Sequence, residues 1–357
     1  MIMKEYNSVL IEDNEVEFLL DIDQLTGETF RVVPFPGDID TAMDKLGFKI
    51  PHLTLWYKNH HVVGLCFYNS KFKEFPDSIS NLSHLRYLLI FHGLIQSFPN
   101  TMRNLSNLEL LEIFNDPEYD EQINLDFPDI FKNLKILKKI HISGLFNVYF
   151  PPSFADLENL EELSLRYCWY SPNRSNFMIN TNIDIEDPEC YNNFFFELPA
   201  DIGKITSLKK IQLYYSRIKH LPKSIINLPH LKELIIQDNN EKIDNIEIVF
   251  EIKSLENLTI NDCELGVIPQ KISYLINLKK LDLYRSNLKY IPIEIVNCKN
   301  LEILNINSNY KLRDSIDNWI KYLIHLSKLK LLKISRGYLD LIPKELLEKK
   351  GLEFEYS

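Results

Sequence analysis

The chain has 357 residues, 45% hydrophobic, 12% aromatic and 25% charged, a core-forming composition long enough for about two domains. Forty Lys and Arg against fifty Asp and Glu leave a net charge of −10, which repels a phosphate backbone and predicts no nucleic-acid partner. Glycine is scarce, ten residues with no two closer than ten positions, so glycine-rich phosphate loops are excluded, and no apolar run approaches the roughly 20 residues that span a bilayer.

The N-terminal stretch MIMKEYNSVLIEDNEVEF meets acidic residues before a signal-peptide core can form. Five cysteines (Cys66, Cys168, Cys190, Cys263, Cys298), an odd number without CxxC spacing, fit reduced thiols. Together these predict a cytoplasmic protein without membrane insertion. Residues 1–60 read as an N-terminal cap. An apolar stripe at Val16, Leu19, Leu20 and Leu25 predicts a helix ending near Gly27. Leu53, Leu55 and Tyr57 predict a strand that turns through Lys58 to His61. His52, His60 and His61 cluster there without matched Cys or carboxylate spacing, and no metal site is assigned to them.

From 61 to 343 a phrase of about 23 residues repeats. Its clearest copies, LRYLLIFHGLIQSFP (85–99), LKKIQLYYSRIKHLP (208–222), LENLTINDCELGVIP (255–269) and LKKLDLYRSNLKYIP (278–292), share LxxLxLxxxxLxxLP. The alternating LxL is a strand with both apolar residues turned inward, and an intervening IxxLxxL, as in Ile79, Leu82 and Leu85, suits a short helix or 3-10 turn with one apolar face. The first inward positions fall at Leu65, Leu88, Leu111, Ile140, Leu163, Ile211, Leu234, Leu258, Leu281, Leu304 and Leu332, predicting eleven coils. Parallel neighbours about 4.8 Å apart would extend such a sheet to roughly 50 Å.

Strand spacing stretches to 29 between Leu111 and Ile140, 48 between Leu163 and Ile211, and 28 between Leu304 and Leu332. Insertions are therefore expected near 116–126 and 168–196, the second leaving the coil after its strand and returning before Leu198. Residues 344–357 read as a C-terminal cap with a helix and a last short strand. Acidity is segregated: residues 1–45 carry eleven acids and three bases, and 116–126 five acids and no base.

These phrases resemble the leucine-rich repeat (LRR) family, in its intracellular 23-residue LPxxIxxLxxLxxLxL form found in Ras-suppressor-like and plant Ras-group proteins. The segment GFKIPHLTLWYKNHHVVGLCFYN (47–69) is similar to the lead-in of uncharacterised archaeal LRR proteins. The resemblance implies an α/β fold, a right-handed solenoid or horseshoe with a parallel sheet of about eleven strands on its concave face. It also implies a protein partner, with small GTPases and signalling proteins the classes such repeats suggest. One departure concerns the asparagine ladder. Placed four residues after the first strand leucine, that column reads Asn69, His92, Asn115, Gly144, Tyr167, Tyr215, Asp238, Asp262, Arg285, Ser308 and Arg336, which predicts a less regular ladder.

No HExxH, GxSxG or GK[ST] motif is present, so no catalytic residue, cofactor or metal is assigned and an enzyme is not expected. The expected function is an intracellular scaffold or adaptor binding another protein on the concave face. The alternatives are a regulatory subunit or cryptic enzyme using the 168–196 insertion, and a glycan- or peptide-binding module. Residues flanking the inward pairs face outward, and the expected protein-binding surface is Tyr68, Tyr87, Leu89, Phe91, Glu112 and Phe114, continued by Arg166, Tyr214 and Tyr284.

Overall fold

The computed structural model describes residues 2–46, 51–115, 124–145, 147–168, 196–239 and 242–356. They form two compact units, Met1–Tyr170 and Ser171–Ser357.

The first unit opens with an antiparallel hairpin, β1 (Met3–Tyr6) and β2 (Val9–Glu12), followed by helix α1 (Asp13–Thr26). Gly27 ends α1 where expected, its φ of 73° left-handed and its N–H donating to the Asp23 carbonyl at 2.8 Å, but the buried face is Val16, Phe18, Leu19 and Ile22, and Leu20 and Leu25 of the expected stripe are exposed. Next come β3 (Arg31–Pro34), α2 (Ile39–Leu46), β4 (Leu53–Lys58) and β5 (His61–Tyr68). β4 and β5 make the expected hairpin, its two turn residues Asn59 and His60 both at positive φ. Then follow β6 (Tyr87–Phe91), β7 (Leu110–Phe114), β8 (Asn124–Asp126), β9 (Lys139–Ser143), β10 (Asn147–Tyr149) and β11 (Glu162–Arg166). From β5 onward β6, β7, β9 and β11 add in parallel, with Leu65, Leu88, Leu111, Ile140 and Leu163 aligned in one row.

The second unit continues the pattern with β12 (Lys210–Tyr214), β13 (Glu233–Gln237), β14 (Asn257–Asn261), β15 (Lys280–Asp282), β16 (Ile303–Asn305), β17 (Leu331–Ile334) and β18 (Glu353–Tyr356). All are parallel neighbours in chain order, and Ile211, Leu234, Leu258, Leu281, Leu304 and Leu332 form one row that ends on Phe354. Every predicted first inward position thus lies in its strand, and the second is buried as well, although Leu283 and Ile306 fall just past the ends of β15 and β16. The long spacing before Leu332 is filled by α3 (Ile316–Trp319) between 3-10 turns, with Trp319 buried and its Nε1 donating to the Leu312 carbonyl at 3.1 Å. A short α4 (Lys344–Leu347) precedes β18.

Each IxxLxxL segment opens in a 3-10 helix, such as Asp77–Asn81, Asn100–Asn104, Lys223–Asn227, Gln270–Tyr274 and Ile293–Asn297, which takes in the first of its three apolar positions. A period of three explains this. Backbone bonds three residues apart carry on past the helix, Leu82 N–H to the Ile79 carbonyl at 3.1 Å and Leu85 N–H to the Leu82 carbonyl at 3.0 Å, and Ile79, Leu82 and Leu85 all reach the core, where each buried Leu or Ile is worth about 2 kcal/mol. Proline starts each of these turns because its fixed φ suits the position and its missing N–H leaves no donor unpaired. In the first unit the residue before that proline is phenylalanine. Phe75, Phe98, Phe127 and Phe150 stack face to face along the repeats, with centroids 5.7, 5.5 and 5.7 Å apart.

In several coils the side-chain ladder lies one residue beyond its expected column. The fourth position after the first strand leucine is a turn in left-handed backbone: Asn69, His92, Tyr167, Tyr215, Asp238, Asp262, Arg285 and Ser308 have φ between 50° and 59°, and Gly144 has 72°. In four coils the fifth position supplies the cross-coil bond, while Asn115, in the expected column, accepts the Gly93 N–H across coils at 3.0 Å. Cys168 Sγ donates to Ile142 O, Cys263 Sγ to Ile236 O, Ser286 Oγ to Ile260 O and Asn309 Nδ2 to Leu283 O, each acceptor being the second inward residue of the preceding strand. Cys, Ser and Asn share one role in these four coils, whereas Gly93, Leu145 and Gly337 at the same position have no side-chain donor, so the ladder is irregular as the sequence predicts.

Two insertion expectations fare differently. Residues 169–195 lie outside the described residues; the chain is described up to Cys168, which is buried, and again from Phe196, which bridges in parallel to Ile218. The stretch expected as a loop at 116–126 ends in strand. Asn124–Asp126 pairs in parallel with Asn147–Tyr149, because Leu125 is apolar enough to bury fully.

Candidate functional site

Strand alternation leaves three rows of side chains on the sheet face turned away from the core. In the first unit, register sets Gly64, Tyr87, Leu110, Lys139 and Glu162 side by side, then Cys66, Leu89, Glu112, His141 and Ser164, then Tyr68, Phe91, Phe114, Ser143 and Arg166. The seven predicted binding residues of this unit all lie in these rows, and Tyr214 and Tyr284 lie in the second unit.

Two of the seven are not available to a partner. Tyr87 is 7% exposed and Leu89 1%, because the β3–α2 segment lies across this face. Ala42 joins Trp56, Val63, Cys66, Tyr87, Leu89 and Leu110 in one apolar cluster, flanked by Val33, Phe35, Ile39 and Met43. Phe35 stacks on Tyr87 with centroids 5.4 Å apart. Gly64 makes room for this layer: a Cβ there would sit 2.8 Å from Trp56 Cε3. Tyr87 and Leu89 are therefore core residues. Their alternation reads outward correctly, but it does not show that a cap covers the outward side.

The third row stays half-open. Tyr68, Phe91 and Phe114 are each partly exposed, although Phe91 also leans on the cluster. His92, from the left-handed turn after β6, bridges the outer two, its ring edge-on to Tyr68 at 5.4 Å and to Phe114 at 5.6 Å. Beside Tyr68 and His92 opens a groove of about 990 Å³, also lined by Asn69, Ser70, Lys71, Glu28 and His52. Glu28 and His52 face each other there at 3.0 Å. The buried Ser70 hydroxyl has no hydrogen-bond partner among the described residues.

Charge flanks the aromatic row. Glu112 is half-buried, and desolvation raises its carboxyl above the usual range despite His141 and Lys139 nearby. His141 Nε2 lies 3.5 Å from Glu162. Arg166 is exposed, with its guanidinium 5.9 Å from the Tyr167 ring. In the second unit the partly exposed Tyr214 accepts from Gln212 at 2.9 Å, and Tyr284 takes Asn261 Oδ1 at its N–H, also at 2.9 Å. A polar row, Thr259, Asp282, Asn305, Lys333 and Glu355, runs beside them. Asn305 Nδ2 donates to Asp282 at 2.8 Å.

Nucleophilic chemistry has little support among the described residues. Cys66, Cys168, Cys263 and Cys298 are buried free thiols, and burial pushes each up to about 12. One group has metal-ligating geometry. Glu12, Glu15, His61 and His84 bring their donor atoms within 4.8 Å of one another. Glu15 is 0% exposed. Burial pushes its carboxyl up to about 8, against the Val62 N–H that donates to it at 2.8 Å. Of this group only His61 stands among the histidines singled out in the sequence. Glu15 is spaced as a first-turn helix residue and His84 as a loop residue, so nothing local links them.

No family model matches the chain. It is 30% identical over 103 residues to the volume-regulated anion channel subunit LRRC8A of Homo sapiens, 28% of this chain and 12% of that protein. Over 232 residues it is 25% identical to LRRC8E of Xenopus laevis, 63% of this chain and 28% of that one. With the probable inactive kinase roco10 of Dictyostelium discoideum the identity is 28% over 116 residues, 31% of this chain and 4% of that protein. The matches thus span small parts of these relatives. Among solved structures, the Arabidopsis receptor kinase HAESA, in complex with the peptide hormone IDA and the co-receptor SERK1, aligns with a TM-score of 0.56 at 18% identity, covering 97% of this chain and 53% of that one. No described helix is long and apolar enough to cross a membrane. The registered LxL strands, the Pro-led 3-10 turns, the side-chain ladder and these likenesses make the chain a leucine-rich repeat protein.

Proposed function

We propose that the chain is a protein-binding module, an intracellular scaffold or adaptor, that holds its partner on the open face of its repeat sheet. The observation that carries this reading is the half-exposed row Tyr68, Phe91 and Phe114, bridged by His92 and bordered by a groove of about 990 Å³. Aromatic side chains give large contact area at low entropic cost, and neighbouring polar groups fix orientation. Glu112 and Arg166 supply those groups beside the row, and the second unit has outward-facing Tyr214 and Tyr284 of its own. Tyr87 and Leu89 act from beneath, holding the β3–α2 segment that borders the row. A small GTPase or another signalling protein is the partner class that the 23-residue repeat form implies.

The test is affinity capture with the wild-type chain and with a Tyr68→Ser/Phe114→Ser variant, followed by mass spectrometry. Phe91 is spared because it also packs in the core. The proposal expects a protein retained by the wild type and lost by the variant while the melting temperature stays within about 3 °C. Undiminished capture by a folded variant refutes the assignment of the surface.

A further inference from the structure

We infer that Glu12, Glu15, His61 and His84 form a site for one divalent transition-metal ion, of the zinc class, that staples the N-terminal segment to the first repeat. The four side chains come from the end of β2, the first turn of α1, the start of β5 and the loop before β6. Their spacing is that of a coordination shell. Zinc binds imidazole nitrogen and carboxylate oxygen at about 2.0–2.1 Å, which puts neighbouring donors of a tetrahedron about 3.3–3.4 Å apart. His61 Nδ1 stands 3.2 Å from Glu15 Oε1 and 3.3 Å from Glu12 Oε2, and His84 Nδ1 stands 3.5 Å from Glu15 Oε1. Charge-assisted hydrogen bonds typically close to about 2.7–2.9 Å, so the His61–Glu15 hydrogen bond at 3.2 Å is a long one.

The surroundings favour a cation as well. Glu15 is fully buried, and its other oxygen accepts the Val62 N–H at 2.8 Å, which fixes the carboxylate with Oε1 toward both imidazoles. The two rings stack with centroids 3.6 Å apart and 20° between planes, which two imidazoliums would oppose; because each nitrogen lone pair lies in its ring plane, metal binding turns the half-exposed His84 out of the stack until both planes meet at the ion. Backbone bonds brace the site, with the Glu12 N–H donating to the His60 carbonyl at 3.1 Å. Ser83 Oγ, 3.3 Å from His84 Nδ1, is the competing partner that an ion would displace. His84 is 45% exposed and provides the route by which an ion enters. Carboxylate and imidazole together suit zinc and its neighbours in the first transition row, and an all-oxygen preference such as that of Ca²⁺ does not fit.

The test uses the full chain, stripped with a chelator and titrated with ZnCl₂ against a chromophoric competitor, with Co²⁺ as a second probe. One zinc per chain with a Kd on the order of 1 µM or tighter, and a visible tetrahedral Co²⁺ band, are expected. His84→Ala, a change at a half-exposed side chain, should weaken binding by more than about tenfold, and Glu15→Gln, which keeps an acceptor for Val62, should do the same. His52→Ala with His60→Ala should leave binding unchanged. No zinc uptake by the wild type, uptake unaffected by His84→Ala, or uptake lost only in the His52/His60 variant would each overturn the site and leave an ion-pair cluster. Should Glu15→Gln fail to fold, the His84→Ala titration decides alone.

Discussion

Asn309 offers the sharpest test of how successive coils are tied together. Its side chain is buried and saturated: Oδ1 accepts the N–H groups of Ser286 at 3.0 Å and Leu288 at 2.9 Å, while Nδ2 donates to the carbonyls of Leu283 at 2.7 Å, Ile306 at 2.9 Å and Asn307 at 3.1 Å. Asn309→Ala strips two buried N–H donors of these acceptors, at about 1–3 kcal/mol each, while the carbonyls keep their second lone pairs for other partners. A loss of about 3–5 kcal/mol is expected. The neighbouring residue provides the control. Ser308 occupies the left-handed turn at φ 59°, so Ser308→Gly trades relief of that backbone against a more flexible unfolded chain and should change stability by less than about 0.5 kcal/mol. Urea unfolding of both variants, compared at constant m-value, reads the difference. Equal effects at 308 and 309, or a loss under about 1 kcal/mol at 309, would refute the ladder assignment.

Gly144 should be intolerant of any side chain, because an added Cβ would lie 1.9 Å from the Asn115 carbonyl oxygen at a φ of 72°; Gly144→Ala is expected to cost more than about 3 kcal/mol by chemical denaturation. Glu109 gives a pH signature. Burial alone would raise its carboxyl, but hydrogen bonds from Arg86 at 2.6 Å and Lys138 at 3.0 Å outweigh this and the net shift is downward. Its contribution is therefore complete above the carboxyl's unfolded value and vanishes as pH falls through the lower folded one; Glu109→Gln should flatten the acid limb of stability against pH, and an unchanged limb would contradict the pairing.

The fold is legible in the sequence because the repeat records its own register. A one-residue slip would turn Leu281 and its counterparts to the open face, so LxL fixes every strand. The ladder is harder to read: Asn, Ser and Cys all fill it, and Cys168, Cys263 and Ser286 do not look like asparagine until their bonds are seen. The Phe-Pro column, Phe75, Phe98, Phe127 and Phe150, is a visible pattern whose stacking only the structure reveals. For the site, alternation identifies which residues face outward but not what lies over them. Tyr87 and Leu89 are covered by Phe35 and Ala42, side chains about fifty residues away with no repeat pattern of their own. Long-range convergence is likewise why the group of Glu12, Glu15, His61 and His84 escapes a search by spacing.

The claim that the open face is the recognition surface is tested most directly by site-specific photocrosslinking. A benzophenone amino acid placed at Phe114, in the half-exposed row, is compared with one at Ile226, exposed on a 3-10 turn of the second unit. In lysate from the native cell, a discrete partner adduct is predicted from position 114 and none from 226. An adduct from 226 with none from 114 would place the partner elsewhere and contradict the account.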